Sequence, residues 1–262
     1  MKLKHRHFFQ IIGMGTLLAL AGPLIGKAWP QANSTEGHSP TEASECVVLL
    51  HGMGRTSRSM ARIETALRRT GYWVYNESYP STDHAVETLA PMAILPGLDF
   101  CRSRRSYTVH FVTHSLGGIL VRYYFQDQRA RELTEIELGR VVMLAPPNKG
   151  SEVADLLKDN VLYKLLTGPA GQQLGTDASG LPVRLKPIGA DIGVIAGNKS
   201  SDPWFSPFLS GSDDGKVSVD STQLGEMRDF LIVDKGHTLI MYDAYTIRQT
   251  IHFLRFGRFE PH

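Results

Sequence analysis

Three short stretches hold the residue types that nucleophilic acyl transfer requires. The first is Thr113-His114-Ser115-Leu116-Gly117-Gly118. It follows an apolar, strand-like run, Tyr107 to Val112, and opens a helix-like run, Ser115 to Gln126. A serine at such a corner has its hydroxyl exposed on a tight strand-to-helix turn. A glycine two places on, Gly117, removes a side chain that would collide with the neighbouring strand. Ser115 is therefore the candidate nucleophile. A serine hydroxyl attacks poorly until a base removes its proton. That base is usually a histidine whose tautomer is fixed by a carboxylate. The second stretch, Ser212-Asp213-Asp214-Gly215-Lys216-Val217, follows the strand-like Ile192 to Ala196 and supplies the carboxylate. The third, Lys235-Gly236-His237-Thr238, follows Phe230 to Val233 and supplies the base. Ser115, Asp214 and His237 are thus in the chain order that a parallel sheet of this kind requires.

Each assignment has competitors. Asp213 and Asp220 rival Asp214, which is preferred because the glycine after it suits a tight turn presenting the carboxylate. The chain has ten histidines. His114 adjoins the serine, but adjacent residues on a turn point different ways, so it is expected to pack or hydrogen-bond locally. His110 lies inside a strand as a satisfied core histidine, and His252 falls late in the closing helix. The developing oxyanion needs donors. One is the backbone N–H of Leu116. The other is that of Met53 in His51-Gly52-Met53-Gly54, which follows the first strand and whose glycines permit close backbone approach.

These residues need a scaffold, and the rest of the chain describes one. Strand-like runs at Val47–Leu50, Tyr72–Tyr75, Tyr107–Val112, Val141–Ala145, Ile192–Ala196 and Phe230–Val233 alternate with helix-like segments. Ser57–Arg69 has Met60, Ile63 and Leu67 on one face. His84–Leu95 is partly helical and interrupted by Pro91, and Thr238–Leu254 closes the domain. Six strands with helical crossovers imply a mostly parallel sheet with helices on both faces. The segment 148–187 is longer than a simple crossover requires and is broken by Gly168, Pro169, Gly171, Gly175 and Gly180. It is expected to form a cap over the carboxyl ends of the strands, where ligands bind in such sheets; the competing reading is a crossover helix with a long loop. Leu156, Leu157, Leu162, Leu165 and Leu166, with Trp204, Phe205 and Phe208, suggest an apolar acyl pocket or, equally, packing of the cap onto the core.

Composition sets the remaining limits. The 262 residues are 42% hydrophobic and 21% charged, ordinary globular values with enough chain for one sizeable core. Four of the 28 basic residues lie in the first 28 positions, which hold no acidic residue, so the body is close to neutral. That gives no electrostatic case for nucleic-acid binding. Residues 1–28 have a basic start, an apolar run from Phe8 to Ile25, and Gly26 and Ala28 as small residues at a cleavage site. They are expected to be an export signal, with an uncleaved anchor as the alternative. Residues 29–45 form a flexible linker, and 46–262 the domain. In an exported protein Cys46 and Cys101 are expected to pair; two buried free thiols are the alternative. Asp213 and Asp214 are too few ligands for a calcium site.

The sequence as a whole resembles the α/β-hydrolase superfamily, in its bacterial lipase, esterase and lipid-anchor deacylase branch. The resemblance covers Cys46 to Phe256. It is carried by Val47-Val48-Leu49-Leu50-His51-Gly52-Met53-Gly54, Val112-Thr113-His114-Ser115-Leu116-Gly117-Gly118, Leu144-Ala145-Pro146-Pro147-Asn148-Lys149-Gly150-Ser151, Asp214-Gly215-Lys216-Val217 and His237. It implies a minimal α/β-hydrolase fold with a cap, a Ser115–Asp214–His237 triad that cleaves carboxylic esters through an acyl-enzyme, and no cofactor or metal. It also implies an ester or lipid substrate with transient lipid-surface contact; a monomer is expected, and the N-terminal segment gives the expectation of a periplasmic or secreted location. Two departures stand out: Thr113 replaces the first glycine of the nucleophile motif, and the two leading strands of larger members are absent. An acyltransferase using the same triad, or a catalytically silent lipid- or protein-binding scaffold, are the alternatives.

Overall fold

Five consecutive buried residues form the first strand, β1 (Cys46–Leu50), and their alternation sets the layering. Cys46, Val48 and Leu50 point into one hydrophobic cluster and Val47 and Leu49 into another. That is the period of two expected of a strand buried on both faces. The computed structural model describes residues 45–127, 136–200 and 205–261, all within the unit Pro40–His262. The expected export signal, most of the linker and Trp204 lie outside the described residues.

The other strands are β2 (Trp73–Tyr75), β3 (Thr108–His114), β4 (Glu137–Leu144), β5 (Ile192–Gly197) and β6 (Met227–Val233). All six form one sheet in the order β2-β1-β3-β4-β5-β6, and every neighbouring pair is parallel. The first cluster joins the sheet to α2 (Val86–Ser103) and α3 (Leu116–Phe125). The second joins it to α1 (Ala61–Arg69) and to the closing helix, Ala244–Phe256. The result is a three-layer α/β/α sandwich.

Between β4 and β5 the chain forms α4 (Glu152–Leu157), α5 (Val161–Gln172) and α6 (Leu181–Arg184). Asn160 caps α5 by accepting the Tyr163 N–H at 3.0 Å. The chain kinks at Gly168, whose φ of 60° precedes Pro169. A four-residue helix, α7 (Val219–Thr222), follows the acidic loop, and α8 is the closing helix.

Two helices differ from their expected extents. α2 continues through Pro91 and Pro96 to Ser103. Proline removes one backbone hydrogen bond, but Leu89, Ala90, Ala93, Ile94, Leu98 and Cys101 recur at helical spacing and are all buried, so packing outweighs the loss. The closing helix starts at Ala244 rather than Thr238, because the Asp243 carboxylate caps the Thr246 N–H at 3.0 Å.

Cys46 at the start of β1 and Cys101 in the last turn of α2 are joined by a disulfide. It closes a loop with a sequence separation of 55 residues and ties the sheet's amino end to the helix behind it. A loop of that length corresponds to about 4 kcal/mol of lost unfolded-state entropy. The double variant Cys46→Ala/Cys101→Ala should therefore lose about 2–4 kcal/mol in urea unfolding. An unchanged midpoint would show that the bridge adds no stability.

Candidate active site

The corner between β3 and α3 holds Ser115 at φ 50° and ψ −119°, a left-handed conformation rarely adopted by a non-glycine residue. Two hydrogen bonds hold it there. The Ser115 N–H donates to the Leu144 carbonyl at 2.9 Å, and the Gly118 N–H donates to the Ser115 carbonyl at 3.0 Å. A Cβ on Gly117 would stand 2.7 Å from the Leu50 carbonyl oxygen, so this glycine admits α3 against the end of β1. Ser115 occupies the N-cap position of α3, yet its hydroxyl does not cap the helix.

Asp214 and His237 sit on the loops after β5 and β6. Nδ1–H of His237 donates to Oδ2 of Asp214 at 2.8 Å. The other carboxylate oxygen, Oδ1, accepts from the backbone N–H of Lys216 at 3.0 Å and of Val217 at 2.9 Å. The His237 N–H donates to the Asp214 carbonyl at 2.9 Å, so backbone and side chain hold the pair together. Asp214 is fully buried. The bond at Nδ1 leaves Nε2 of His237 as the proton acceptor.

The competing residues are occupied elsewhere. Oδ1 of Asp213 accepts from the Gly215 N–H at 2.7 Å and the Ser206 hydroxyl at 3.0 Å, shaping the turn that presents Asp214. Asp220 pairs with Lys149 at the surface. Nδ1 of His110 accepts the Arg140 N–H at 2.8 Å. Nε2–H of His114 donates to the His237 carbonyl at 3.0 Å, bracing the base from below.

Met53 and Leu116 bring unpartnered backbone N–H groups to the same region, among the described residues. Leu116 is the first residue of α3, where no intrahelical acceptor exists. The Met53 loop is held by contacts that sequence patterns do not reveal. Tyr79 stacks on His51 with ring centroids 4.1 Å apart and donates its hydroxyl to the His51 carbonyl at 2.6 Å. Its N–H donates to Nε2 of His51 at 3.2 Å. Oγ of Ser81 accepts the Gly54 N–H at 3.0 Å. A Cβ on Gly52 would meet Nδ1 of His114 at 2.6 Å, so the first glycine of the loop is needed for close approach to the serine corner.

Buried Arg122 is a second feature without a sequence signal. It donates from α3 to the carbonyls of Asn148 at 3.0 Å and Leu185 at 3.3 Å. Burial pulls its pKa down to about 10. The Asn148 amide donates in turn to the Thr222 carbonyl at 2.8 Å. The pair thus links α3, the loop after β4, the end of α6 and α7.

Ser115 and His237 line one cavity of about 510 Å³. Met53, Val153, Ala154, Leu157, Leu162 and Leu166 give it an apolar lining. Phe205 also lines it, whereas Leu156, Leu165 and Phe208 do not. Of the eight residues considered for an apolar pocket, four therefore reach it from α4, α5 and the loop after β5. Among the described residues no group of three His, Cys, Asp or Glu side chains is placed to hold a metal ion.

Solved structures with the same arrangement of sheet and helices place the chain in a known fold. The mature lipase BlEst2 of Bacillus licheniformis superposes with a TM-score of 0.62 at 20% identity, over 84% of this chain and 94% of that one. The chain has the α/β-hydrolase fold. Two further structures with this α/β-hydrolase likeness are the metagenomic carboxyl esterase MGS0156 and the phospholipase PlaB of Legionella pneumophila. The first gives a TM-score of 0.55 at 17% identity, covering 83% of this chain and 71% of that one. The second gives 0.54 at 23% identity, covering 69% and 46%. The chain spans about half of PlaB and 52% of the propeptide form of BlEst2. No protein-family model and no curated protein sequence matches the chain.

Two outcomes follow from this geometry. Asp214→Asn should free the His237 tautomer and lower kcat on a chromogenic ester by roughly 10³–10⁴-fold with little change in fold. A loss below ten-fold would remove Asp214 as the orienting acid. The second concerns pH. Burial, then the neighbouring His237, holds the pKa of His114 well below the ordinary histidine range, and burial also lowers that of His51. The unfolded chain therefore binds protons near pH 6.5 that the folded chain refuses. Stability should be full above pH 6.5 and fall below it, by up to about 1.4 kcal/mol per pH unit for each histidine. His114→Gln should flatten that slope in urea titrations at pH 5–7; an unchanged slope would exclude His114 as a source.

Proposed function

We propose that the chain is a serine hydrolase of carboxylic esters, with Ser115 as nucleophile, His237 as general base and acid, and Asp214 as orienting carboxylate. One observation carries the reading: a buried carboxylate fixes Nδ1 of a histidine that shares a cavity with an uncapped serine at a strained corner. Structural likeness to lipases and esterases supports it.

Oγ of Ser115 attacks the acyl carbon while Nε2 of His237 takes its proton. The imidazolium is stabilised by Asp214. The tetrahedral oxyanion receives the N–H groups of Met53 and Leu116, each already free of a partner. Collapse breaks the bond to the alkoxy oxygen, which leaves with the proton from His237. Water then attacks the acyl-enzyme with His237 as base, releasing the carboxylic acid and restoring Ser115. The apolar cavity suits an acyl chain, with 148–187 acting as the cap over it. The apolar N-terminal run and the Cys46–Cys101 bridge support export to an oxidising compartment.

Ser115→Ala should abolish hydrolysis of p-nitrophenyl butyrate, by at least about 10³-fold, while leaving the circular dichroism spectrum and unfolding midpoint in place. Full activity in that variant would refute the assignment.

A further inference from the structure

The cavity around Ser115 holds two cations and, among the described residues, no acidic side chain. Arg55 follows the Met53 loop, and Lys216 lies two residues after Asp214. Neither side chain makes a hydrogen bond or ion pair with any described residue. Of the neighbouring carboxylates, Asp213 and Asp214 are held by backbone N–H groups and Asp155 by Thr176, while Glu152 accepts from Ser218 through Oε1 and its Oε2 is buried without a hydrogen-bond partner. Both positive charges contribute, after burial and His237, to holding His114 neutral.

The lining is also divided by origin. Most apolar residues, Val153, Ala154, Leu157, Leu162, Leu166 and Leu174, come from the segment between β4 and β5. The cations come from the two loops that carry the oxyanion donor and the acid. Lys216 belongs to the loop that fixes His237, and His237 must stand beside the leaving oxygen to protonate it. An anion met by these cations therefore belongs to the alcohol half of the ester, and the apolar lining to the acyl half.

We propose that Arg55 and Lys216 form an anion subsite, and that the substrate is an ester joining an apolar acyl chain to an alcohol bearing a phosphate or carboxylate group. This rests on the ester-hydrolase reading. A guanidinium and an ammonium without internal partners retain their donors for such an oxyanion. An uncharged ester such as a triglyceride leaves both cations unused.

The test is a matched series: hexanoyl esters of glycerol, of glyceric acid and of glycerol 3-phosphate, each below its aggregation concentration. In the wild-type protein at low salt, kcat/KM should be at least ten-fold higher for an anionic ester than for the glycerol ester. The phosphate and carboxylate arms report which oxyanion is preferred. Arg55→Gln/Lys216→Gln should reduce the anionic-to-neutral ratio by roughly ten-fold or more, as loss of hydrogen bonds to a charged group implies. Raising salt to 1 M should compress the wild-type ratio in the same direction. A wild-type ratio near one, or a ratio unchanged in the double variant, overturns the subsite while hydrolysis of the glycerol ester leaves the hydrolase reading standing. Hydrolysis of none of the three esters overturns both.

Discussion

The site depends on a backbone held where a side chain normally forbids it. Ser115 adopts φ 50° because the chain must turn from a strand buried from Val109 to His114 into a helix within one residue. The strain is offset by the Ser115 N–H to Leu144 bond, which hooks the corner onto the neighbouring strand β4, and by the approach of Gly117 to the end of β1. Three adjacent strands therefore fix the position of one hydroxyl. The same corner makes Leu116 the first residue of α3, so the turn that holds Ser115 also frees an N–H beside it.

Around that corner the loops are coupled by polar contacts. The Asp214 carboxylate is held by two backbone N–H groups and by His237, while the His237 carbonyl receives Nε2–H of His114. His114 directly precedes Ser115, so the proposed base and nucleophile are connected through one buried imidazole. The Gly52 loop closes over that imidazole on its other side. Arg122 and Asn148 bind the helix after the nucleophile to the loop after β4 and to α7. An arginine with carbonyl partners is expensive to bury, and this one is retained where it joins four segments.

Much of this was legible in the sequence because the chemistry depends on local signals. Apolar runs such as Val47–Leu50 and Ile192–Ala196 announce buried parallel strands, and the residues just past their carboxyl ends are where a site must form. That rule nominates Ser115, Asp214, His237, Met53 and Leu116, and the structure places them at those strand ends. The asparagine–arginine link and the stacking of Tyr79 on His51 were not legible, since each joins residues 26 or more apart with no periodic pattern. The run of α2 through two prolines was hidden for a different reason: local propensity opposes it, and only burial against α3 and β1 sustains it. The apolar residues of 148–187 are visible as a group, but packing decides which face the cavity: Leu162 and Leu166, four apart on α5, line it and Leu165 does not.

In the proposed mechanism the Ser115 hydroxyl is the activated nucleophile. The most direct measurement is peptide mapping by mass spectrometry after reaction with a fluorophosphonate ester. One adduct is expected, on Ser115. An adduct on another residue, or no adduct on the folded protein, would contradict it.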